Sequence, residues 1–380
     1  MLTSVTDALV NTLSSWNIWS AIIATISVIL LGYLLAYKKI FKQEWEKVMI
    51  KIVMVVGLPA LALKGFLTNA SIESLKEQLS VLLIGFAFYT IMLFISKYFF
   101  LKKEKDIQDT LAMCIALAST TFFGIPIVTS IYNDEFTNMT ANIFNIPYRI
   151  FLYSLAFIIM SKKNMTISVK KKKSDMTEVE LIESKKVKKQ TLKNIFVNPI
   201  LIATFLGFVI WVTQLIPGIN AVSYDGKDYF SPLRVDKLFP PMNKILTTLQ
   251  AICTPLAWLA IGMTMNKGNL KLAMKDKLLW YASFIKVIIA PTIILILIIS
   301  VASLGHYTNS FSFNSKSLAA MVIMTAAPPA NVVVAYAISY NKSPEMASNL
   351  TTLSTLLSII TLPIWVVIST VVGALPMFVQ

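Results

Sequence analysis

The stretch SLAAMVIMTAAPPANVVVAYAISY, Ser317 to Tyr340, runs 24 residues without a charge, yet holds Pro328, Pro329 and Asn331 at its centre. At about 1.5 Å per residue it is long enough to cross a hydrocarbon core of about 30 Å. Two adjacent prolines remove two backbone donors and crowd the carbonyls before them, so a helix breaks there. Broken backbone at membrane depth persists only where protein buries it or where it lines a cavity. A second stretch repeats the pattern. TLAMCIALASTTFFGIPIVTSIY, Thr110 to Tyr132, is again long and apolar, is interrupted in its outer half by Gly124 and Pro126, and opens Thr-Leu-Ala against Ser-Leu-Ala. Interrupted spans at corresponding places in two halves are the pattern of transporters built from inverted repeats, which hold substrate at the midplane between half-helices. A plainer reading treats the prolines as kinks of the kind membrane helices tolerate.

Composition excludes the soluble classes. The 380 residues are 56% hydrophobic and 14% charged, with a mean hydropathy of +0.70, whereas soluble domains carry about a quarter charged residues. The net charge of +15 is not a nucleic-acid signature, because the lysines sit in short gaps between apolar runs. Cys114 and Cys253 fall inside apolar runs without metal-ligand spacing, and His306 is the only histidine, so neither a metal nor a cofactor is expected. No Ser/His/Asp arrangement or phosphate-binding loop supports an enzyme. The first apolar run has neither the basic flank nor the small-residue site of a cleaved signal, and is expected to be retained.

Apolar runs of about 20 residues fall at 17–36, 47–66, 79–100, 110–132, 140–160, 196–217, 242–265, 278–302, 317–340 and 350–376. Ten spans put both termini on one side. Placing them outside gives the inner segments about three times the lysine and arginine of the outer ones, which sets the orientation. The lysine-rich segment 161–195 then lies in the cytoplasm, either as a solvated linker or as a polybasic patch on anionic lipid. It divides the chain into residues 1–160 and 196–380, five spans each. Because five is odd, the halves run in opposite directions, as an inverted repeat requires. Further matches are GLPALALKGF (57–66) with TPLAWLAIGM (254–263), and Pro147 with Pro363.

Ten spans, a long central inner loop, LPALALKGF, FFGIPIV and APPANVVVAY together resemble the auxin efflux carrier family, which includes plant auxin exporters and bacterial malate and malonate permeases. The resemblance implies two inverted five-helix repeats, similar to the bile-acid sodium symporter fold. Spans one, two, six and seven would form a scaffold that pairs two copies into a homodimer. Spans three to five and eight to ten would form a moving transport domain, with broken helices four and nine crossing at the substrate. Many members carry Asn-Thr shortly before Gly-Ile-Pro, where this chain has Ser119, Thr120 and Thr121, so the substrate does not simply carry over.

With the lysines at span ends assigned to the loops, the spans hold three cations and no carboxylate: Lys51, Lys286 and Arg149. Lys51 and Lys286 lie toward the inner ends and are expected to snorkel. Arg149 sits mid-span after Pro147, where it either caps carbonyls freed by the proline or faces an anion path. An all-cationic interior suits a small organic anion, and half-helix N-termini add free N–H groups and a positive dipole end. The candidate substrate-binding set is Ser119, Thr120, Thr121, Gly124, Pro126, Arg149, Pro328, Pro329 and Asn331. The expected activity is alternating-access transport of a mono- or dicarboxylate across the plasma membrane, without a dedicated proton relay. The alternatives are a sodium-coupled anion symporter and a receptor on the same fold. Membrane lipid is the other expected partner; nucleic acid is not.

Overall fold

The computed structural model describes residues 10, 13–161, 197–224, 229–266 and 270–379. The linker expected at 161–195 lies outside them, Ser161 apart. In chain order the helices are α1 (Trp16–Tyr37), α2 (Gln43–Ile52), α3 (Leu58–Gly65), α4 (Ile72–Ile95), α5 (Lys105–Ala116), α6 (Ile125–Tyr132), α7 (Glu135–Phe151) and α8 (Phe157–Ser161). They continue as α9 (Pro199–Thr213), α10 (Val235–Leu238), α11 (Pro240–Ala251), α12 (Cys253–Met265), α13 (Leu270–Lys275), α14 (Lys277–Phe284), α15 (Ala290–Tyr307), α16 (Ser315–Thr325), α17 (Asn331–Ser339) and α18 (Pro344–Gly373). A two-residue parallel pair, β1 (Phe313–Asn314) and β2 (Phe378–Val379), ties the C-terminus to the start of α16. Seven helical stretches among the described residues are long and apolar enough to cross a membrane, and shorter apolar helices cover Thr120–Tyr132, Pro199–Thr213 and Ser315–Thr325.

Proline shapes several of these helices. Wide π-turns at Val53–Gly57, Thr120–Gly124 and Ile285–Ile289 each end two residues before a proline, namely Pro59, Pro126 and Pro291. A proline cannot donate to the carbonyl four residues back and its ring crowds that carbonyl, so the turn widens instead of breaking. Before Pro291 the orphaned Val287 carbonyl accepts from the Trp365 indole at 2.8 Å.

Two packing groups emerge. Helices α1, α2, α3, α9, α11 and α12 pack on one another, and α4, α5, α7, α14, α15, α16 and α18 do likewise. In the first group α1 and α12 approach closely enough that a Cβ on Gly32 or Gly262 would meet the other helix's backbone. The groups meet where α3 packs on α7, Lys64 Nζ lying 3.9 Å from Glu135, and where α1 packs on α6.

The helices outrun the apolar runs by about a turn, which corrects the carboxylate-free interior. Glu46, Glu77 and Asp109 all lie in helices and are buried. His306, beyond the apolar run 278–302, belongs to the last turn of α15.

Candidate functional site at the crossing of two broken helices

The Thr110–Tyr132 span stops being helical at Leu117, whose backbone is extended (φ −114°, ψ 105°), and resumes at Thr120. The Ser317–Tyr340 span stops at Ala326 and resumes at Asn331. The two gaps lie against each other. Ala118 and Pro329 form an antiparallel bridge in which the Ser119 N–H donates to the Pro328 carbonyl at 2.7 Å and the Ala330 N–H donates to the Leu117 carbonyl at 2.9 Å. Each break therefore supplies the hydrogen bonds the other lost, which is what lets irregular backbone survive in an apolar interior. Other freed carbonyls find side chains: Lys286 Nζ donates to Thr325 at 3.3 Å and Ser358 Oγ to Ala326 at 3.4 Å.

A cavity of about 10 Å³, room for about one water, sits beside the bridge. Ser119, Phe123, Pro328, Pro329 and Asn331 line it from the crossing, Ile261, Thr264 and Met265 from α12, and Thr351, Thr352 and Thr355 from α18. Among the described residues no carboxylate lines it, although Glu46 accepts from the lining Thr264 hydroxyl at 3.0 Å. Asn331 is half-buried and, among the described residues, makes no side-chain hydrogen bond to protein, while the three α18 threonines donate back to their own helix. The first amides of α17 and of the Thr120 turn have no intrahelical acceptors, and both helix starts adjoin residues that line the cavity, Asn331 and Ser119. A larger open cleft, about 760 Å³, contains Glu73, Glu77 and His306 and shares no residue with this cavity.

Of the expected residues, Ser119, Pro328, Pro329 and Asn331 line the cavity; Thr120, Thr121, Gly124, Pro126 and Arg149 do not. Gly124 and Pro126 are also not the break itself, which falls five to nine residues earlier; the chain is helical through both, and Pro126 widens the turn before it. Gly124 instead spaces the crossing. A Cβ there would stand 2.9 Å from Met324 Cα.

Arg149 lies deep in α7, 2% exposed, with Tyr89, Tyr148 and Tyr153 as its electrostatic neighbours and neither Nη hydrogen-bonded. It ends a buried ladder that sequence reasoning missed. Asn138, Asn142, Asn145 and Arg149 follow at steps of four, three and four, one face of a helix. Thr120 Oγ1 donates to Asn145 Oδ1 at 2.6 Å, linking the ladder to the residue next to Ser119. Asn142 Oδ1, Asn145 Nδ2 and the Tyr89 hydroxyl remain unpartnered. The asparagine spacing in EFTNMTANIFNIPYR was the available signal.

Lys51 is exposed, as snorkelling requires, but Lys286 is 1% exposed and does not reach an interface. Its amine is committed to the Thr325 carbonyl at the crossing.

No curated protein matches the chain. A family model described as membrane transport protein matches residues 17–366, nearly its whole length and both broken spans. The chain is a multi-pass membrane transporter that belongs to this family, the auxin efflux carriers.

Proposed function

We propose that the protein moves a small organic anion, a mono- or dicarboxylate, across the plasma membrane by alternating access, with the anion held at the crossing of the broken helices. The observation that carries the reading is the crossing cavity itself: a free Asn331 amide beside two half-helix N-termini, hydroxyls around them and no carboxylate. Half-helix N-termini and an amide donor bind a carboxylate without a cationic side chain. A cavity with room for about one water cannot hold such a ligand, so the structure corresponds to a closed state. Opening requires the two packing groups to part, and these correspond in this reading to scaffold and transport domain within ten spans arranged as inverted repeats. With both termini outside, the α3–α7 contact at Lys64 and Glu135 closes the outer side. An inside-negative potential then favours anion exit, at about 2.3 kcal/mol per charge per 100 mV.

The test is a thermal-shift screen of mono- and dicarboxylates on the purified protein, followed by radiolabelled flux of the best hit into proteoliposomes. A ligand at 100 times its dissociation constant should stabilise by about 2.7 kcal/mol. Asn331→Ala is expected to weaken binding of that hit on the order of tenfold, the size of one hydrogen bond to a charged group. Saturable binding without flux would refute transport.

Arg149 provides a second test. An unpartnered buried guanidinium costs several kcal/mol, and replacing a buried charge with an apolar group of similar size is often neutral or stabilising. Arg149→Met should therefore keep or raise the thermal midpoint while cutting flux at least about tenfold, the trade expected of a group kept for function. Unchanged flux would remove Arg149 from the anion path.

A further inference from the structure

Among the described residues Lys286 is the one buried cation bonded to the crossing, and its surroundings are unlike those of an ordinary buried lysine. It lies on the Ile285–Ile289 turn, 1% exposed, with Nζ donating to the carbonyl of Thr325, the last residue of α16. Its other electrostatic neighbour is Cys114, two residues before the end of α5, and the Ile285–Ile289 turn packs on α5. No carboxylate is among its neighbours. The ammonium thus bonds the carbonyl end of α16 and lies beside the last turn of α5.

Each helix C-terminus carries about half a negative charge. The Lys286 ammonium, bonded to the α16 end beside the last turn of α5, opposes that charge. Broken-helix carbonyl ends are where carriers of this construction hold a coupling cation. We propose that Lys286 is a tethered cation that occupies this position covalently, so that the crossing is assembled without sodium. Removing the amine leaves the carbonyl end of α16, the Ser358 hydroxyl beside Ala326 and an uncompensated negative field, the chemistry of a monovalent cation site. Lys286 therefore determines ion specificity: with it the carrier is sodium-independent, and without it the protein acquires a sodium requirement.

The inference rests on the transport reading for its meaning, but its test contains no organic anion, so a failed carboxylate screen would leave this result standing. The thermal midpoint of the purified full chain is followed while sodium replaces choline at constant ionic strength, with potassium as a second control. Wild type is expected to be indifferent to the exchange. Lys286→Ala is expected to melt lower in choline and to recover a saturable, sodium-specific part of the loss. Lys286→Gln retains a donor for Thr325 without the charge, and is expected to show the same sodium response with a smaller starting deficit. Lys286→Met fills the space with an apolar chain, and should show the deficit without the response. A sodium-specific shift in wild type would overturn the proposal. So would a folded Lys286→Ala indifferent to sodium; if that variant cannot be purified in either salt, the presence or absence of the sodium response in Lys286→Gln decides.

Discussion

Gly124→Val should fail to give a monodisperse, folded protein, and Gly124→Ala should fold with a lowered thermal midpoint and at least about tenfold less flux. Gly124 has ordinary helical angles (φ −65°, ψ −57°), so its need for glycine is spatial and not conformational. A Cβ would sit 2.9 Å from Met324 Cα and 3.0 Å from Met324 Cγ. The methionine tip can swing aside; the α16 backbone cannot. Met324 and Gly124 flank the paired breaks, so any separation forced here stretches the Ser119 to Pro328 and Ala330 to Leu117 hydrogen bonds. Overpacking alone costs about 1 to 3 kcal/mol. Losing two backbone bonds in an apolar interior adds to that, each stranded group costing about 1 to 3 kcal/mol. Size-exclusion profile, thermal midpoint and proteoliposome flux check the pair. A valine variant with wild-type values on all three would show that the crossing has room the geometry denies it.

The break at Pro328-Pro329 was legible because two prolines are a local cause that no tertiary contact can undo. The partner break was legible in its existence and misplaced in its position. Gly124 and Pro126 are the residues that look like breakers, yet the chain is helical through both and leaves the helix at Leu117–Ser119, where no residue type forbids it. That gap is imposed from outside, by pairing with 328–330, and a single sequence carries no mark of it. Arg149 stands out in the sequence as a charge, whereas the asparagines that lead to it are neutral and only helical spacing brings them onto one face. Lys286 was misread on distance. Nine residues above the start of α14 is roughly 13 Å of helix, more than a lysine side chain can span, so it had to find a partner inside.

Asp109→Ala should destabilise the protein by about 3 to 5 kcal/mol, while Asp109→Leu combined with Lys342→Met should recover much of that loss. Lys342 sits in the turn between α17 and α18, flanked by Asn341 and Ser343 in left-handed backbone (φ 49° and 42°). That turn carries its amine inward, where it is 2% exposed and donates to Asp109 Oδ2 at 2.8 Å and to the Ile159 carbonyl at 2.9 Å, with Asp106 at 3.8 Å. The Thr110 hydroxyl donates to the Lys342 carbonyl at 3.0 Å. One side chain thus joins the start of α5, the end of α8 and the turn between α17 and α18. Removing the carboxylate alone leaves a buried ammonium facing Asp106 at a longer distance, with the carbonyl of Ile159 as its remaining close acceptor. Removing both charges leaves apolar chains in a buried site, which costs far less than one stranded ion. Thermal midpoints of the two singles and the double give the coupling, expected on the order of 2 kcal/mol. The same variants report on function, since the ends of both broken helices farthest from the crossing are held here. If the double variant melts at least as low as the worse single, the pair contributes through its packing and the charge argument fails.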